Sequence, residues 1–137
     1  MHAESKWRPF VCLIKMKPPR SLKMTDMELG SGRPSLPGDL AVCHCRCSRR
    51  KGDIVFTSDP DDPYRIRVGA RDCYIGIEYG LLGMRIVGRR SILVPPNLTY
   101  HERKTNREIS DCAVLVYEVR LIDLPEKWDP EMTERLL

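Results

Sequence analysis

The segment from Gly80 to Tyr100 constrains the fold of this chain more than any other. It reads GLLGMRIVGRRSILVPPNLTY. Its first glycines suit the end of a helix and a turn, and the β-branched run before Pro95 suits a strand. Two consecutive prolines stop that strand just before a lone aromatic, Tyr100. The segment therefore predicts a fold in which a short helix turns directly into a strand.

Alternating apolar residues predict further strands on both sides of this segment. The most regular alternation lies at residues 64–68, and we also expect strands at 22–29, 40–47, 54–56 and 113–124. Between Cys73 and Met84 the apolar residues recur at spacings of three, four and three, which predicts one internal helix. Several strands around one helix predict a β-rich α+β domain.

Length and charge exclude several classes of function. A chain of 137 residues favours one domain, and 23 Lys+Arg against 19 Asp+Glu give a net charge of +4. Because no block of five or six like charges occurs, we expect no nucleic-acid partner. The longest apolar run near the N-terminus, residues 9–14, is too short for a signal peptide or a membrane span. We therefore expect a cytoplasmic monomer that has no membrane partner and keeps its six cysteines reduced.

The domain is expected to occupy residues 22–124. Residues 1–21 show no sustained period and form an N-terminal extension, and residues 125–137 form a tail. Within that tail, Asp129-Pro130-Glu131 is typical of a helix start, which predicts a short C-terminal helix.

Four blocks of this sequence, in order, resemble the FKBP-type peptidyl-prolyl cis-trans isomerases. The resemblance runs from about residue 22 to residue 124. The blocks are Leu29–Gly32 with Pro37–Asp39, Ile75–Met84, Val87–Arg90 followed by Val94–Tyr100, and Leu115–Ile122. The resemblance implies an antiparallel sheet of five or six strands wrapped around one short helix, with an aromatic pocket between them.

The resemblance also implies an activity and a set of pocket residues. It implies isomerisation of Xaa-Pro bonds in peptides or proteins without a cofactor or metal, a role in protein folding, and a macrolide as a second kind of ligand. It matches Tyr100 to the family's hydroxyl donor and the backbone N–H of Tyr74 to the other donor. The remaining matched pocket positions are Phe56, Tyr64, Tyr117, Ile77 and Ile109.

Three positions depart from the family pattern. Ile77 stands where the family often has Trp, Thr57 follows the matched Phe56 where the family has Asp, and His44 stands at a strand position where the family has Tyr. An alternative register would place Val55, instead of Phe56, at the aromatic position. These substitutions predict a pocket that stays apolar and loses area and a polar pair.

Two other functions remain open from the sequence. One is a non-catalytic module of the same fold that binds peptides, with a chaperone-like role. The other is a metal-binding protein that uses Cys43–Cys47, in which cysteines alternate with His44 and Arg46. Strand alternation would place His44 opposite the thiols, and no Cys-x-x-Cys pair occurs, so we expect buried thiols and no metal. An approach of Cys73 to Cys112 is also left open.

Overall fold

The computed structural model describes residues 17–71 and 73–125. Within these residues, no helix is both long enough and apolar enough to cross a membrane. The elements, in chain order, are β1 (Lys23–Glu28), β2 (Leu40–Arg49), β3 (Ile54–Thr57), β4 (Tyr64–Arg67), α1 (Ile75–Leu81), β5 (Arg89–Val94), a 3₁₀ turn (Pro96–Leu98), α2 (Tyr100–Thr105) and β6 (Leu115–Asp123).

The strands form one antiparallel sheet in the described part of the chain. Their order is β1-β5-β6-β2-β3, and β4 also pairs with β2. The long strand β2 makes this arrangement possible, because its first half pairs with β4 and its second half pairs with β3. Helix α1 lies against β5 and β6 on the inner face of the sheet.

The core lies between α1 and the inner face of the sheet. Along β6, Leu115, Tyr117, Val119 and Leu121 are fully buried while Glu118 and Arg120 face outward. Glycines bring the helix close to the strands: a Cβ at Gly76 would lie 2.7 Å from Cδ1 of Tyr117. The close approach fixes the position of the first turn of α1 over the Tyr117 ring.

The α+β fold with an antiparallel sheet around a short helix is confirmed, and each predicted strand and the predicted internal helix overlap an observed element. The structure adds α2, which follows the 3₁₀ turn and Thr99. The expected C-terminal helix and residues 1–16 of the expected extension lie outside the described residues.

Candidate functional site

A cleft of about 760 Å³ opens between β3, β4, the start of α1 and the face of α2. Phe56 comes from β3, Tyr64 from β4, and Tyr74 precedes α1. Ile77 lies in the first turn of α1 and is 3% exposed, which makes it part of the floor. The apolar lining is Val55, Phe56, Tyr64, Ile66, Tyr74, Ile77 and Ile109. A concave, mostly apolar hollow of this size suits a ligand with a substantial apolar part.

Aromatic rings form the base of this cleft. The ring of Phe56 lies 5.6 Å from that of Tyr74 and 5.9 Å from that of Tyr117, centroid to centroid, and the second pair is edge to face. Tyr117 is fully buried, so it supports Phe56 from below and is not itself part of the lining. Tilted and edge-to-face pairs at these distances stabilise the base of the cleft.

A hydroxyl–carboxylate pair is buried beside this base. The Tyr117 hydroxyl donates to Oε2 of Glu102 over 2.6 Å, and Glu102 is only 2% exposed although it lines the cleft. Burial, together with the nearby Cys47 and Glu102, raises the pKa of Tyr117 far above its usual range. The hydroxyl therefore stays protonated and keeps donating. The sequence pattern does not single out Glu102, because it is one carboxylate among the charged residues of 101–104.

The segment that leads into the cleft at Tyr74 is held by a second buried carboxylate. Glu78 of α1 accepts hydrogen bonds from the backbone N–H groups of Gly69 (2.6 Å) and Arg71 (3.2 Å) and from the Cys73 thiol (2.8 Å). Tyr74 itself caps α1 through its carbonyl, and no described residue accepts a hydrogen bond from its backbone N–H. This N–H is the group that the family resemblance matches to a donor.

Five of the predicted pocket residues line the cleft, and a sixth lies beneath it. Phe56, Tyr64, Tyr74, Ile77 and Ile109 form the lining, and Tyr117 supports it. Both Val55 and Phe56 contribute to the lining, so the two registers weighed from the sequence place an apolar side chain at the same wall.

Tyr100 does not contribute to the lining of the cleft. It begins α2, is 59% exposed, and its ring lies 5.5 Å from that of His101. Helix α2 turns Glu102 toward Tyr117, and this orientation leaves Tyr100 toward solvent. The structure therefore does not bring the expected hydroxyl donor into the cleft.

His44 and Thr57 also lie away from the cleft. They border a groove on the outer face of the sheet, where Nδ1 of His44 lies 2.9 Å from Oγ of Ser58 and Thr57 is exposed. Because side chains alternate along β2, Cys45 points inward next to His44, which points outward. The pocket assignments of His44 and Thr57 are corrected on this ground.

The cysteines of β2 face the core. Cys43, Cys45 and Cys47 are buried, and burial raises the pKa of Cys43 and of Cys47 to about 12. Among the described residues, no group of three or more Cys, His, Asp and Glu side chains is arranged to hold a metal ion. Among the other described cysteines, Cys73 donates a hydrogen bond to Glu78, and Cys112 is exposed.

Comparisons with known proteins agree with this architecture. A family model described as FKBP-type peptidyl-prolyl cis-trans isomerase matches residues 31–122. The mouse (Mus musculus) peptidyl-prolyl cis-trans isomerase FKBP10 is 32% identical over 88% of this chain and 22% of its own length. FK506-binding protein 2 of Candida glabrata is 33% identical over 66% of this chain and 68% of its own length. The crystal structure of AtFKBP13 superposes with a TM-score of 0.63 at 22% identity, covering 78% of this chain and 95% of that one.

Proposed function

Because this chain belongs to the FKBP-type peptidyl-prolyl cis-trans isomerase family, we propose that it isomerises Xaa-Pro bonds of peptides or proteins in the cleft between β3, β4, α1 and α2. The observation that carries the proposal is the aromatic base under an apolar hollow, with Phe56 packed edge to face against Tyr117 and Ile77 on the floor. A role in assisting protein folding follows from this activity.

The reaction needs no nucleophile. Rotation about a peptide bond has a barrier of about 18–20 kcal/mol, because the twisted state loses amide resonance. A cleft that holds the proline ring among Phe56, Tyr64 and Ile77 removes water that solvates the planar amide, and it favours the twisted state. We propose that the backbone N–H of Tyr74, which precedes α1 and has no acceptor among the described residues, donates to a substrate carbonyl. Each 1.4 kcal/mol of preference for the twisted state gives about a tenfold rate increase.

A non-catalytic peptide-binding module is the second candidate, and one observation favours it. The hydroxyl that the family resemblance matches to a substrate donor belongs to Tyr100, which is 59% exposed outside the cleft. A cleft that binds proline without that donor stabilises the twisted state less. We propose that a macrolide of the FK506 type would occupy the same cleft, because it would need the same apolar lining.

Exchange spectroscopy on a short Xaa-Pro peptide separates the two candidates. We expect the wild type to accelerate cis–trans exchange, and Phe56→Ala to lower the acceleration because the variant removes the ring that covers Tyr117. FK506 should compete with the peptide. Peptide shifts that move without faster exchange would favour the binding module, and a peptide that neither shifts nor exchanges faster would refute both candidates.

A further inference from the structure

The rim of the cleft carries cations from three separate parts of the chain. Arg65 comes from β4, Arg71 from the loop after β4, and Lys104 from α2. All three residues are exposed and line the same opening. A peptide lying across the apolar floor would therefore pass close to positive side chains from β4, from the loop after it and from α2.

These cations have no acidic partner among the described residues. Elsewhere in that part of the chain, arginines form ion pairs with carboxylates; these are Arg33, Arg46, Arg49, Arg89 and Arg90. Glu102 is the acidic side chain among the described residues that line the cleft, and its carboxylate is buried and bonded to Tyr117. As far as the described residues go, the rim thus presents positive charge without an acidic partner to whatever enters.

We propose that the cleft selects Xaa-Pro segments that carry an Asp or Glu side chain within about two residues of the proline, about 7 Å of extended chain on either side. This inference rests on the function proposed for the cleft above. An acidic side chain there meets Arg65 or Lys104, and the positive rim also raises the rate of encounter with acidic segments. Exposed charge pairs are individually weak, so two of them should favour an acidic over a neutral peptide by about three- to tenfold in kcat/KM.

Three peptides that differ at one position test the proposal. The residue next to the Xaa-Pro dipeptide is Glu, Gln or Lys. For each peptide, the cis–trans exchange rate and the change in its NMR chemical shifts on titration are measured at low salt and at 0.5 M NaCl. The proteins are the wild type, Arg65→Gln/Lys104→Gln, and the matched control Arg50→Gln/Lys51→Gln, which removes the same charges from the turn after β2, outside the cleft. Circular dichroism verifies that each variant is folded.

We expect the wild type to prefer Glu over Gln and Gln over Lys, and we expect salt to reduce this preference. The rim variant should lose the preference and the control should keep it. Equal acceleration of all three peptides by the wild type would overturn this inference and leave the proposed isomerase intact. The wild type could instead leave the exchange rate unchanged and bind the Glu peptide more tightly, and the rim variant could lose this tighter binding. That result would support the selectivity and refute catalysis. An absence of both binding and acceleration would overturn both proposals.

Discussion

Removal of the Tyr117 hydroxyl tests whether the buried pair with Glu102 holds α2 against the cleft. In Tyr117→Phe the ring stays and Glu102, which is 2% exposed, loses the donor at 2.6 Å. A hydrogen bond to a charged group is worth about 1.5–3 kcal/mol, so we expect a loss of about 2 kcal/mol in the free energy of unfolding. With an unfolding entropy of about 2.1 cal/mol/K per residue over 137 residues, this loss lowers Tm by roughly 7 °C.

A double-mutant cycle measures the pair itself. Urea unfolding of Tyr117→Phe, Glu102→Gln and the double variant gives the coupling energy, and Glu102→Gln is the matched control because it keeps the shape and removes the charge. We expect the double variant to be about 1 kcal/mol more stable than the sum of the single losses, because it leaves no buried carboxylate without its donor. Additive losses, within about 0.5 kcal/mol, would refute the coupling.

Three further predictions concern close approach, thiols and the exposed tyrosine. In Gly76→Ala the new Cβ would lie 2.7 Å from Cδ1 of Tyr117, so urea unfolding should show a loss of about 1–3 kcal/mol; an unchanged midpoint would contradict the observed packing. Burial raises the pKa of the thiols in Cys43–Cys47, so the unfolded chain releases these protons above about pH 8.5 while the folded chain keeps them. The free energy of unfolding should therefore fall above that pH by up to about 1.4 kcal/mol per pH unit for each thiol, and a flat profile between pH 8.5 and 10.5 would contradict their burial. Tyr100→Phe should change kcat/KM by less than about twofold, since an exposed side chain outside the cleft is altered; a tenfold loss would show that its hydroxyl reaches the substrate.

The sheet was predictable because its strands alternate clearly. In β6, which lies within the predicted strand at residues 113–124, Leu115, Tyr117, Val119 and Leu121 are buried and alternate with outward residues. The internal helix was predictable from its apolar spacing, and the structure places Ile77 and Leu81 in the core. These elements depend on one periodic property, burial, which the sequence carries directly.

The site was only partly predictable because it depends on register and on side-chain pairs. The residue inside the core is Cys45, one position from the predicted His44, and a shift of one residue along a strand reverses every side chain. The uncertainty in register between Val55 and Phe56 did not affect the prediction of an apolar wall, since both side chains line the cleft. An error of one residue in register therefore made the prediction of polar pocket residues wrong but left the prediction of apolar pocket residues correct.

Helix α2 shows why the predicted hydroxyl and the observed one are different. Its sequence, YHERKT, has no apolar period, and a helix of six residues is not stable by itself. Its orientation depends on a contact with β6, the bond from Tyr117 to Glu102, which joins residues 15 positions apart. That bond turns the Glu102 side of α2 inward and so completes the cleft wall. Because the helix is held in this orientation, Tyr100 faces solvent and Lys104 lies on the rim. The bond from Tyr117 to Glu102 thus bears on both the exposure of Tyr100 and the position of Lys104, so we expect changes at Glu102 to alter the preference for acidic peptides as well as stability.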